Sequence, residues 1–147
     1  MAERELAIRE PVTPTVGPGY DREPPYSMVA EVSVLGGVLL DPDGMSRSME
    51  VVNDTMFFRE ANRRIFRTMM RLFERGDVID PVTVSEELAN VGDLEVAGGL
   101  EYLQELLEAV PTAANLEYHA RIVRDKAQLR RLIDAATSII QDVYEPG

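Results

Sequence analysis

The chain contains no cysteine, which excludes disulfides and thiolate zinc sites as the framework of its fold. It has a single histidine, His119, and no HExxH motif, so a zinc site has no ligand set. A phosphate-binding GxxxxGK[ST] loop is absent, and neither glycine pair precedes a lysine, so these residues offer no site for ATP hydrolysis. Long apolar runs are missing as well. The longest, Val32 to Leu40, is far short of a membrane span and is interrupted by Gly36-Gly37. The N-terminus, MAERELAIREPV, is charged throughout and lacks the apolar core of a signal peptide. Basic residues are scarce, 15 Lys and Arg against 26 Asp and Glu, for a formal net charge of −11. Phosphate contacts need clustered cations, so this balance argues against tight nonspecific nucleic-acid binding.

What is present suits one domain with tails. The 147 residues are 45% hydrophobic and 28% charged, enough to bury a real core. The strongest signal runs from Ala113 to Tyr144 without a glycine or proline. Leu116, Ala120, Val123 and Ala127 recur at three- and four-residue steps, the spacing of one helical face. Ile122, Leu129, Leu132, Ala136, Ile139, Ile140 and Val143 form a second apolar set. A helix of this length spans roughly 45 Å. Two stripes imply two partners, one within the chain and one that is a second chain or the head, and the rest is read as organised around this stretch. Charge is uneven, with sixteen acids against seven arginines in 27–115 and five basic residues against three acids in 116–134. An acidic body with a slightly basic helix points to protein partners.

In chain order, residues 1–26 hold five prolines and two glycines with no amphipathic period, and read as a disordered leader. Ser27 caps the next element, with Glu31 near its N-terminus where negative charge helps. Val32–Leu40 reads either as a β-hairpin turning at Gly36-Gly37 or as a helix whose glycines admit another backbone. The helical character of everything downstream tips the balance to helix. Asp41–Gly44 is a turn, Met45–Val52 a short helix, and Asp54–Phe58 one turn that puts Phe57 or Phe58 into the core. Glu60–Arg75 is a strongly amphipathic helix stopped by Gly76. Thr83 and Glu86 suggest a capping box for a helix through Ala89. Leu100–Val110 follows Gly98-Gly99, with Leu103, Leu106, Leu107 and Val110 on one face, and Pro111 ends it. The short link at 112–115 makes it an antiparallel hairpin with the long helix. The expected fold is all-α: a compact head of about five helices at 27–97, then an antiparallel helical hairpin at 98–144. Leu103, Leu106, Leu107, Val110, Leu116 and Val123 would pack the hairpin.

Arg59, Arg63, Arg67, Arg71 and Arg75 recur every four residues, with Arg64 beside them. Pairing with the chain's own carboxylates is the default reading; an acidic partner surface or transient DNA contact is the alternative. The acidic pairs Glu86-Glu87, Glu105/Glu108 and Asp41/Asp43 read as solvated faces rather than carboxylate dyads. His119 lacks an evident nucleophile or orienting acid and reads as packing or surface. No catalytic, metal or cofactor residue is assigned.

Together the residues become specific. Ala30-Glu31-x-Ser33-Val34-Leu35-Gly36-Gly37-x-Leu39-Leu40-Asp41, Phe57-Phe58 with Ile65-Phe66, and Asp80-x-Val82-Thr83 come in order. Gly98-Gly99-Leu100-x-Tyr102-Leu103, Pro111–Asn115 and Leu129-Arg130-Arg131-Leu132-Ile133 follow. This series, over about 24–144, resembles the N-terminal domain of bacterial DnaB-type replicative DNA helicases. Val32, Phe58 and His119 depart from the family's usual Gln, Tyr and Tyr. The resemblance implies a helix at Gly36-Gly37 and a head-plus-hairpin that pairs with itself, with Leu129, Leu132, Ala136 and Ile139 as the self-association face. It implies dimers assembled into a hexameric collar that docks primase and in some systems a loader, in the bacterial cytoplasm and its nucleoid-associated replisome. Arg59, Arg63, Arg67 and Arg71 are a possible docking stripe. It also implies a RecA-like ATPase domain using ATP and magnesium, with 145–147 opening the linker to it. DNA would be engaged through the parent ring rather than tightly by this domain, and no membrane is involved. The alternative is a stand-alone adaptor or regulator with no motor of its own.

Overall fold

Ser27 starts the first helix, its hydroxyl accepting the Ala30 N–H at 3.1 Å. The computed structural model describes residues 22–145; most of the expected leader (residues 1–21), and 146–147 of the expected linker, lie outside them. Helix α1 (Met28–Leu40) is followed by a 3-10 turn at Pro42–Gly44, α2 (Met45–Met49) and a second 3-10 turn at Asp54–Met56. Then come α3 (Glu60–Arg75), α4 (Pro81–Asn90), α5 (Gly99–Ala109) and α6 (Leu116–Tyr144). The fold is all-α, as expected. The head holds four α-helices and two 3-10 turns, and the short helix after the Asp41–Gly44 turn stops at Met49 rather than Val52.

The chain divides into two units: one is Tyr26–Gln128, the other Leu129–Gly147 with Met1–Pro25. Within Tyr26–Gln128 the central element is α1, not the long helix. Ala30, Val34, Leu35, Gly36, Gly37, Val38 and Leu39 of α1 are all buried, and a helix apolar on every side belongs in the middle of a core. That also explains why its sequence shows no clear helical period. Its most extensive helix neighbour is α5. A Cβ on Gly36 would collide with the Leu106 carbonyl oxygen and stand 2.5 Å from Val110 Cγ2. A Cβ on Gly37 would meet Leu116 Cδ1 at 2.9 Å. Each glycine thus receives one arm of the hairpin, Gly36 the outgoing helix and Gly37 the start of the returning one. At Gly36 the missing side chain lets the two helix backbones close to a distance no larger residue permits, whereas at Gly37 the neighbour is a leucine side chain.

One hydrophobic cluster joins α1 to Phe57, Ile65, Phe66, Met69, Val84, Leu88 and the first half of α6, and it crosses Gly98 without a break. Phe57 is fully buried against Phe66, with ring centroids 5.0 Å apart, whereas Phe58 stacks on Tyr26 at 4.4 Å. Burying a side chain such as Phe57 contributes about 1.5–3 kcal/mol. The arginine-bearing α3 has the expected bounds, and Gly76 terminates it at φ 77°. The start of α4 differs from expectation. Asp80, not Thr83, is its N-cap: the carboxylate accepts the Thr83 N–H at 2.8 Å and the Thr83 hydroxyl accepts the Asp80 N–H at 3.0 Å. Pro81 supplies the first helical residue, where no amide donor is needed.

Candidate interaction surface

Three sets of side chains distinguish this domain: a buried polar network, a ladder of paired arginines, and an exposed apolar row.

The network begins at Glu31, the one charged residue of α1, which is 1% exposed. Its carboxylate accepts the Phe58 N–H at 2.6 Å, the Asn62 Nδ2 at 2.8 Å and, at 3.4 Å, the Arg59 N–H. Helix α3 has no side-chain cap of its own, so a carboxylate from another helix supplies negative charge at its N-terminus. Asn62 is buried as well, and its Oδ1 accepts the Tyr102 hydroxyl at 2.7 Å. The Arg59 guanidinium carbon lies 4.8 Å from the Tyr102 ring centroid. Burial pushes the Tyr102 phenol above its ordinary value, against the opposing pull of Arg59. Four side chains therefore tie α1, α3 and α5 together at one point. The sequence reading gave Glu31 only a helix-end role and missed Asn62 and Tyr102. A lone carboxylate in an otherwise apolar helix was the available signal.

The arginines of α3 are paired within the chain. Arg63 bonds Glu60 and the carbonyl oxygens of Phe57 and Phe58. Arg64 reaches Glu60 at 2.7 Å and Asp93 at 2.6 Å, and Arg67 reaches Asp54 at 2.8 Å. Arg71 and Arg75 converge on Glu87 at 3.4 and 3.0 Å. Hydrogen bonds from Arg75 outweigh burial and hold the Glu87 carboxyl below its ordinary value. Glu87 is therefore an ion-pair partner and not a solvated surface acid, unlike the exposed Glu86, Glu105 and Glu108. The pairs join the face of α3 to α4 and to the turns on either side of it.

Leu103, Leu106, Leu116 and Val123 are buried in the common core, Leu107 packs against it, and Val110 is half-buried beside Gly36. Of the two apolar sets on α6, Leu116, Ala120, Val123 and Ala127 are its buried residues. The C-terminal part of the other set is exposed: Leu129 by 46%, Leu132 by 65%, Ile139 by 64% and Val143 by 69%, with Ala136 in the same row. His119 is half-buried beside Tyr118. Among the described residues no group of three His, Asp or Glu is placed to hold a metal ion, and no helix is long and apolar enough to cross a membrane.

An all-helical domain whose α3 arginines are paired with its own carboxylates, and whose α6 carries an apolar row in the open, is the class that this geometry defines. Residues 23–125 match the family model of the DnaB-like helicase N terminal domain, and the chain belongs to that family. It is 52% identical over 124 residues to the replicative DNA helicase DnaB of Geobacillus stearothermophilus, covering 84% of this chain and 27% of that protein. The fold superposes with a TM-score of 0.83 on the crystal structure of the N-terminal domain of DnaB helicase from Mycobacterium tuberculosis, at 42% identity, covering 85% of this chain and 87% of that one. A DnaB-like replicative helicase whose structure was described with its interactions with primase aligns at a TM-score of 0.71 and 26% identity, over 80% of this chain and 28% of that one. The chain thus spans about a quarter of the length of the Geobacillus helicase, and the resemblance drawn from its ordered motifs holds.

Proposed function

We propose that the chain is the collar domain of a replicative DNA helicase, an assembly and docking module that supplies no catalysis of its own. The observation that carries this reading is the exposed row Leu129, Leu132, Ala136, Ile139 on α6. An apolar stripe of this length left open on a long helix is the signature of a helix-to-helix interface. A second copy closes over it, and such pairs build the hexameric ring. The similarity to a helicase described with primase supports a docking role for the head in coupling unwinding to primer synthesis, and a loader is a further partner. ATP and magnesium serve a motor domain of the parent protein. The residues here do not fit either, having no phosphate loop and no metal cluster among those described. DNA contact belongs to the parent ring in the bacterial cytoplasm.

The docking half is tested by calorimetric titration with the helicase-binding domain of primase. Saturable heat is expected for the wild-type chain and equally for Arg67→Gln and Arg71→Gln, because both guanidiniums are already paired in the chain. Loss of binding in these variants, with helical circular dichroism retained, makes Arg59, Arg63, Arg67 and Arg71 a docking stripe instead. No heat at about 0.1 mM of each partner, an affinity weaker than about −5.5 kcal/mol, removes primase docking from the account.

A further inference from the structure

Phe73, 39% exposed, and Val78, 64% exposed, stand open to solvent on the head. With Pro42, Asp43 and Asp77 they line an open groove of ≈ 470 Å³ between the turn after α1 and the end of α3. The volume falls within the range of about 300–1,000 Å³ seen for small-ligand sites. Its charge has one sign. The lining holds Asp43 and Asp77 and no lysine or arginine. Asp43 has no ion-pair partner among the described residues. Asp77 is engaged at 3.0 Å by Arg75, which also serves Glu87. Pro42 and Asp43 follow the C-terminus of α1, and Asp77 and Val78 follow that of α3, where helix dipoles are negative. Apolar side chains framed in this way complement a cationic chain and repel nucleic acid. The head as a whole has the same imbalance, sixteen acids against seven arginines in 27–115.

We propose that this groove docks a basic segment of a partner protein. An aromatic or long aliphatic side chain of that segment lies against Phe73 and Val78. Lysines or arginines on either side of it meet Asp43 and Asp77. Apolar contact supplies the affinity, and the carboxylates select the sign of the partner's charge. The inference rests on the docking half of the proposed function and is independent of the α6 row.

The test is an amide-shift titration of the isotope-labelled full chain with the peptide acetyl-Lys-Lys-Phe-Lys-Lys-amide. Saturable shifts are expected at Ser46, Gly76, Asp77 and Val78, with the rest of the spectrum unmoved. Serine in place of the peptide's phenylalanine is expected to weaken binding about tenfold or more. Glutamates in place of its lysines are expected to abolish it. Asp43→Asn with Asp77→Asn is expected to weaken it about fivefold or more, and Val78→Ser, at an exposed position, also weakens it. Shifts spread over the other surface acids overturn the groove, as does equal affinity in the double variant. Shifts at these residues on concentrating the chain alone, with a lower sedimenting mass for Val78→Ser, make the groove an interface between copies and overturn the proposal. Peptide binding without heat from primase upholds the groove and sinks primase docking alone. Primase heat without peptide binding does the reverse.

Discussion

Gly36 of the first helix faces the Leu106 carbonyl of the fifth with no room for a Cβ between them. The neighbour is backbone, so it cannot swing aside. Gly36→Ala gains up to about 1 kcal/mol of helix propensity and loses about 1–3 kcal/mol or more to overpacking, a net loss. At Gly37 the obstructing atom is the end of a leucine side chain, and there Gly37→Ala is close to neutral. Urea unfolding of both variants checks the contrast. A Gly36→Ala chain as stable as wild type contradicts the close approach.

Glu31 holds the entry to α3 from a different helix. Replacing it with alanine leaves the buried Asn62 amide with only the weak Met28 sulfur acceptor, and the Phe58 N–H without its carboxylate partner. The expected cost is about 2–4 kcal/mol, in line with losing one partner from a buried charged hydrogen-bond network. Tyr102→Phe, which deprives Asn62 of a single donor, is expected to cost about 1–2 kcal/mol. Thermal unfolding followed by circular dichroism orders the two. Equal effects, or none from Glu31→Ala, contradict the network.

Two of the shifted groups, Glu87 and Tyr102, make stability depend on pH at opposite ends of the range. The Glu87 carboxyl is held below its ordinary value of 4.5, so its contribution is present above that pH and is lost as pH falls through the folded-state value. The Tyr102 phenol is raised above its ordinary value of 10.0, so its contribution is intact below pH 10 and is lost as pH rises through the folded-state value. Melting midpoints of wild type and Glu87→Gln between pH 3 and 6 are expected to converge as pH falls. Parallel curves contradict the pairing of Glu87 with Arg71 and Arg75.

Much of this architecture was legible in the residues. Helix α3 was read to its last residue because its apolar period is strong and Gly76 is an unambiguous stop. The buried set Leu116, Ala120, Val123, Ala127 was equally plain, since a half-buried helix must display its period. Helix α1 was ambiguous for the opposite reason: buried on nearly every side, it has no polar face to reveal a repeat. Its central position was missed because length, not burial, drew attention to α6. The network around Glu31 is not legible because its partners lie 27 to 31 residues away in sequence, and a local reading sees only the nearby helix end. At α4 the sequence reading places the cap at Thr83, on the Ser/Thr-x-x-Glu pattern, whereas Asp80 caps the helix and Pro81 is its first residue.

The exposed α6 row carries the central claim. Sedimentation velocity of the full chain over a dilution series, against Leu132→Glu with Ile139→Glu, measures it directly. The wild-type chain is expected to shift from monomer to dimer or higher with concentration. The double variant is expected to remain monomeric at every concentration while keeping its helical spectrum, because both positions are already solvent-exposed. Identical mass distributions for the two proteins across the series contradict the assignment of this face to self-association.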